Sequence, residues 1–163
     1  MNEVQRIAAE LSQGYDGEPW HGPSVRQILE GISAEEAAAH PLAGANSIWE
    51  IVLHMTAWVE EIRLRLNGKA PSKPEGGEWP PMRGSGPAEW EAAQESLTGA
   101  MEGIGRTLSS TSEERLWETV GKPARDLAAG TGTTYYVLLH GLVQHNVYHS
   151  AQIATMKRVL RTK

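Results

Sequence analysis

The stretch HGLVQHNVYHSAQIATM, from His140 to Met156, constrains this chain more than any other part of it. It holds no proline and one glycine, and its spacing predicts a helix. Leu138, Leu142, His145, His149, Gln152, Met156 and Val159 recur at intervals of four and three, the spacing that places side chains on one helix face. Two histidines and a glutamine therefore fall on a stripe that a packed helix fills with leucine. Each polar group left unpaired in a core costs roughly 1–3 kcal/mol, so something must satisfy these three.

The rest of the chain says what that helix packs against. Residues 2–13 carry Val4, Ile7, Ala8 and Leu11 on one helical face. The turn GYDGEPWHGP breaks the pattern, because proline and glycine both oppose helix continuation. A short helix with Val25, Ile28, Leu29 and Ile32 follows, then one capped turn with Ser33 as N-cap and Glu36 at the capping-box position. A second long helix is expected from Asn46 or Ser47 to the stop pair Asn67-Gly68, with Ile51, His54, Trp58 and Ile62 on its stripe. Residues 69–87, rich in proline and glycine, read as a long loop that is either functional or loosely ordered. A third helix starts near Pro87 and buries Trp90, Ala93, Leu97, Met101, Ile104 and Leu108. Residues 112–132 read as a short helical turn and a glycine-rich link, with a small hairpin left open. The fourth helix runs from about Thr133 to Leu160 and closes on Lys157, Arg158 and Arg161, which suit its negative end. Helical period without strand period gives the expected fold: one all-α domain over residues 1–163, a four-helix bundle with a short extra helix and a long Pro/Gly loop.

Composition removes several functions. Net charge is −5 with no basic cluster, which disfavours a nucleic-acid partner. The chain has no cysteine, so disulfides, thiolate metal ligands and a cysteine nucleophile are excluded. The segment MNEVQRIAAELSQG lacks the apolar region of a signal peptide, and no apolar run approaches the roughly 20 residues that span a bilayer. The expectation is a soluble, cytoplasmic protein without a membrane partner.

His145 and His149 lie four apart, one above the other on a helix, so both imidazoles can reach one ion from the same side. His54 sits on the core stripe of another long helix and can deliver a third nitrogen across the bundle interior. Three neutral imidazoles suit Zn²⁺, Ni²⁺, Cu²⁺ or Fe²⁺ and leave a coordination position open. Spacing alone leaves two readings of the stripe: a metal site, or a hydrogen-bonded polar core. His140 points away from the pair and reads as a hydrogen-bonded core residue.

Three segments in order, YDGEPWHGPS from Tyr15, NSIWEIVLHMTAW, and QHNVYHSAQI, resemble the DinB/YfiT-like superfamily over nearly the whole chain. The most specific part is H-x-x-Y-H-x-x-Q-I, here His145, Tyr148, His149, Gln152 and Ile153, with His54 and Trp58 on the earlier helix. The resemblance implies a four-helix bundle, a homodimer, and a metal site on His54, His145 and His149, with zinc or nickel foremost. It also implies a metal-dependent enzyme that joins a small-molecule substrate to a low-molecular-weight thiol, an S-transferase. The alternatives are a metal-dependent hydrolase, or a non-catalytic metal- or ligand-binding protein of the stress response.

Around that site, Gln152 is either a partner for the far ring nitrogen of His149 or a donor to a neighbouring backbone. Tyr148 reads as core packing with a wet hydroxyl, or as a cap on the cavity. Glu50 reads as a solvated helix carboxylate, or as a proton carrier. Trp20 and His21 belong to a segment that recurs in the resemblance. They read as a turn anchored by a buried indole, or as part of the mouth of the site. Trp79 and Met82 are candidates for a lid or a dimer contact.

Overall fold

The computed structural model describes residues 1–121 and 133–162. Helix α1 spans Glu3–Asp16, α2 Val25–Leu29, α3 Ala34–Ala38, α4 Ile48–Leu66, α5 Pro87–Ser109 and α6 Tyr135–Arg161, with a 3₁₀ turn at Glu114–Trp117. The four long helices close a ring: α1 packs against α5, α5 against α4, α4 against α6, and α6 against α1. None of the described residues lies in a strand ladder. Thr119 and Thr134 form one isolated antiparallel bridge. The link between them, where the sequence also allows a small hairpin, falls mostly at residues 122–132, outside the described residues.

Helix ends sit where local chemistry puts them. The Ser47 side chain accepts from Glu50 N while the Glu50 carboxylate accepts from Ser47 N, a reciprocal cap that starts α4. Ser33 and Glu36 do the same for α3. Pro87 occupies the first turn of α5, where a missing N–H costs no hydrogen bond. Thr134 caps α6 by accepting from Val137 N. No helix among the described residues is long and apolar enough to cross a membrane.

The phase of α6 differs from the expected stripe. Its buried line is Leu139, Leu142, Asn146, His149, Ser150, Ile153 and Met156. Leu138, His145, Gln152 and Val159 are only half-buried. The helix is wedged between α1 and α4, so the centre of its buried face is turned toward the bundle axis. His145 and Gln152 are left on the flank of that face. His145 and Gln152 therefore edge a cleft, while His149 stays on the buried line.

A buried ion cluster fixes the far end of α4. Glu61, 1% exposed, accepts from Arg65 Nε at 3.0 Å and from Lys69 Nζ at 2.6 Å. Ser72 donates to the same carboxylate from its N and Oγ, while Arg65 Nη2 donates to Ser72 O at 2.6 Å. The start of the Pro/Gly loop is thus bonded to α4. Tyr135 Oη donates to Arg65 O at 2.9 Å, which joins the opening turn of α6 to the same point.

Candidate metal centre

The helices bring His54 from α4 together with His145 and His149 from α6. One ring nitrogen from each lies within 4.8 Å of the others. The His54 and His145 Nε2 atoms are 3.0 Å apart. Ring centroids are 4.4 Å apart for His145 and His149, and 4.7 Å for His54 and His149.

Two of the three rings have a fixed tautomer. His54 Nδ1 donates to the Glu78 carbonyl at 2.5 Å, and His149 Nδ1 donates to Gln152 Oε1 at 2.7 Å. Both acceptors are oxygens without a proton to give, so the protons reside on Nδ1 and both Nε2 atoms carry a lone pair. His145 Nδ1, by contrast, is buried without a partner, as is the neighbouring Asn146 Oδ1. With the His54 Nε2 lone pair fixed, His145 has two options. It can donate from Nε2 and leave Nδ1 an unpaired buried acceptor, or it can point a second lone pair at His54. A cation between the two Nε2 atoms removes the clash of facing lone pairs, and neutral imidazole nitrogen is a donor that transition metals accept. The residues present therefore fit a divalent transition metal.

Electrostatics hold the rings in the form a metal needs. Burial pushes the His145 imidazole down to about 4, with His149 and His54 adding to the effect. Burial also lowers His54, against the Glu78 carbonyl, and lowers His149, against Gln152. A lowered imidazole pKa means that the ring is neutral near pH 7 with its lone pair available.

Two clefts meet at the histidines. One, of about 580 Å³, is lined by His54, Trp58, Leu142 and His145; the other, of about 740 Å³, runs along Asn46, Ile51, Gln152 and Met156. Trp79, Tyr148 and His149 line both. Tyr148 is 62% exposed and meets His149 edge-on at 5.1 Å, so it stands at the rim and does not pack in the core as its place beside the stripe suggests. Trp58 lies 6.5 Å from His145 as part of the cleft wall.

Other candidates fall elsewhere. Glu50 is occupied by Ser47 N and by His40 Nε2 at 2.9 Å, which makes it a helix cap. Trp20 is fully exposed, so it anchors no turn. With His21 it lines a separate cleft of about 540 Å³ between α1 and α6, whose walls include none of the three histidines. His140 does point away from the pair. Instead of a core hydrogen bond it has Glu3 and Glu10 carboxylates at 3.8 and 3.7 Å and a Tyr136 ring at 4.5 Å.

Trp79 was only half legible. Its ring stacks on His54 at 3.9 Å and 13°, while Met82 packs against the core. An exposed indole in a Pro/Gly loop gives no hint of that stacking, and the Glu78 carbonyl carries no side-chain signal at all. Pro74, Gly76 and Gly77 hinted at a tight turn that could bring this loop back.

The model of the DinB superfamily matches residues 20–153, from before α2 to within α6, including all three histidines. No curated protein and no solved structure gives a significant match. With the matched region covering most of the chain and the helical fold in agreement, the chain belongs to the DinB superfamily.

Proposed function

We propose that this protein holds one divalent transition metal, zinc or nickel, on His54, His145 and His149, and works as a metal-dependent enzyme of the thiol S-transferase type. The observation that carries the reading is the convergence of three ring nitrogens within 4.8 Å at the meeting point of two clefts. A bound ion of this kind supplies a Lewis acid that favours thiolate over thiol. The protein's own residues do the remaining work. Glu78 and Gln152 hold two rings in one tautomer. Trp58, Leu142 and the exposed faces of Trp79 and Tyr148 form a largely apolar wall against which an electrophilic small molecule can lie. A chain without cysteine must borrow its thiol. Of the two proton carriers that hydrolysis could use, Glu50 is bound by Ser47 and His40, which leaves that chemistry only Tyr148 at the rim.

The test is a Co²⁺-substituted protein titrated with 2-mercaptoethanol and glutathione. Visible bands that shift and intensify on thiol addition support a coordination position open to sulfur. A spectrum indifferent to both thiols rejects the transferase, and a protein that takes up no cobalt, zinc or nickel rejects the metal site.

A further inference from the structure

The loop between α4 and α5 reaches the histidines with two contacts of different kinds, both on His54. The Glu78 carbonyl accepts its Nδ1 proton at 2.5 Å, and the Trp79 indole lies over its ring at 3.9 Å, nearly parallel. The first contact sets where the proton resides. The second fixes the ring plane, since a stacked face resists rotation of the imidazole about its bond to the backbone. Together they determine which way the His54 Nε2 lone pair points, and it points at His145.

We propose that Glu78 and Trp79 form a strap that positions His54, and that strap closure and metal binding are coupled. The strap is built rather than draped. Its root is the bond from Arg65 Nη2 to Ser72 O beside the buried Glu61 carboxylate. From there the buried Pro74 opens a turn closed by Gly77 N donating to Pro74 O at 3.0 Å. Gly76 and Gly77 stand at φ +85° and +94°, a pair of left-handed positions that favours glycine. That turn aims the Glu78 carbonyl inward, and beyond Trp79 the chain is pinned by Met82 against the core.

Coupling follows from the tautomer. The strap accepts a proton only from Nδ1, and a metal takes a lone pair only from Nε2, so both select one form of His54. What favours one must favour the other by the same factor. Trp79 is a positioning residue in this scheme and needs no contact with substrate. Its indole also stands between the two clefts, so an open strap would merge them.

The metal arm of this proposal rests on the three-histidine reading; the metal-free arm does not. In metal-free protein, carbethoxylation of His54 by diethyl pyrocarbonate, read on its peptide by mass spectrometry, is expected to be severalfold faster in Trp79→Ala and Gly77→Ala. Trp79→Phe, which keeps a stacking face, should restore slow modification. In loaded protein, Ni²⁺ is expected to slow deuterium uptake at residues 76–79, and Trp79→Ala should weaken Ni²⁺ binding by about 10-fold or more while Trp79→Phe stays within about threefold. Circular dichroism on each variant confirms the fold. Equal His54 modification in wild type and all three variants overturns the strap. Wild-type protein that takes up neither Ni²⁺ nor Zn²⁺ overturns the metal site and the coupling with it, whatever the modification rates show.

Discussion

His149 and Gln152 sit one turn apart on α6, and the ring Nδ1 donates to the amide oxygen at 2.7 Å. The glutamine thereby fixes the nitrogen that His149 turns toward the other two rings. Gln152→Ala should weaken metal binding by about 10–100-fold, as expected for a lost partner on a ligating histidine. Chelator competition with Zn²⁺ measures it. Unchanged affinity would mean that the hydrogen bond orients nothing.

The histidines themselves should behave differently from that partner. Wild-type protein is expected to carry about one equivalent of transition metal per chain, and His149→Ala or His54→Ala should carry almost none. Elemental analysis of untagged protein decides it. Melting temperature should rise on adding Zn²⁺ to wild type, since a ligand that binds only the folded state stabilises it.

The phase of α6 can be checked by two neighbouring leucines. Leu139 is fully buried and Leu138 half-buried, although the alternating spacing favoured Leu138. Leu139→Ala should cost about 2–5 kcal/mol, and Leu138→Ala less than half as much. Chemical denaturation gives both, and the reverse order would restore the stripe read from sequence.

Acid should reach the protein through Glu61. Burial pushes its carboxyl up, but hydrogen bonds from Lys69 and Arg65 outweigh this and hold it below its ordinary value. A depressed folded pKa gives stability that is present above the unfolded value, about 4.3, and that is lost as pH falls through the folded one. Denaturant midpoints should therefore fall on acidification below about pH 4.3, and Glu61→Gln should flatten that fall. Removing one partner of a buried pair leaves an uncompensated charge, so Arg65→Ala should cost about 3–5 kcal/mol.

Trp20 supplies a negative control. Its indole is solvated and lines a cleft without any of the three histidines. Trp20→Ser should leave metal affinity unchanged and stability within about 0.5 kcal/mol. A loss of metal would bring the segment from Trp20 to Gly22 back to the site.

What the sequence disclosed, and what it withheld, follows from the range of each interaction. Ser33 with Glu36, Ser47 with Glu50, and Pro87 mark helix starts because a cap is satisfied within one turn. For the trio His54, His145 and His149, helical spacing offered a shared interior but left a polar core equally open, and the family resemblance is what pointed to a metal. The phase of α6 was harder. Leu138 and Leu139 are both apolar, and the true line includes Asn146 and Ser150, whose polarity disguises it. Glu61 and Arg65 stand at i,i+4, a spacing that is usually a solvated surface pair. Only Lys69 and Ser72 folding back over them make it a buried cluster. The path of residues 69–87 depends on such long-range bonds, so neither the Glu78 carbonyl nor the place of Trp79 could be read from composition.

The stacking of Trp79 on His54 has an optical consequence. An open-shell ion on the histidines would lie within a few ångströms of an indole, where excited-state energy and electrons transfer readily. Of six tryptophans, Trp79 lies over a candidate ligand and Trp58 faces another across 6.5 Å. Emission should dim on adding Cu²⁺ or Ni²⁺ and stay near its starting level with Zn²⁺, whose filled d shell offers no such route. The protein carries its own lamp beside the site.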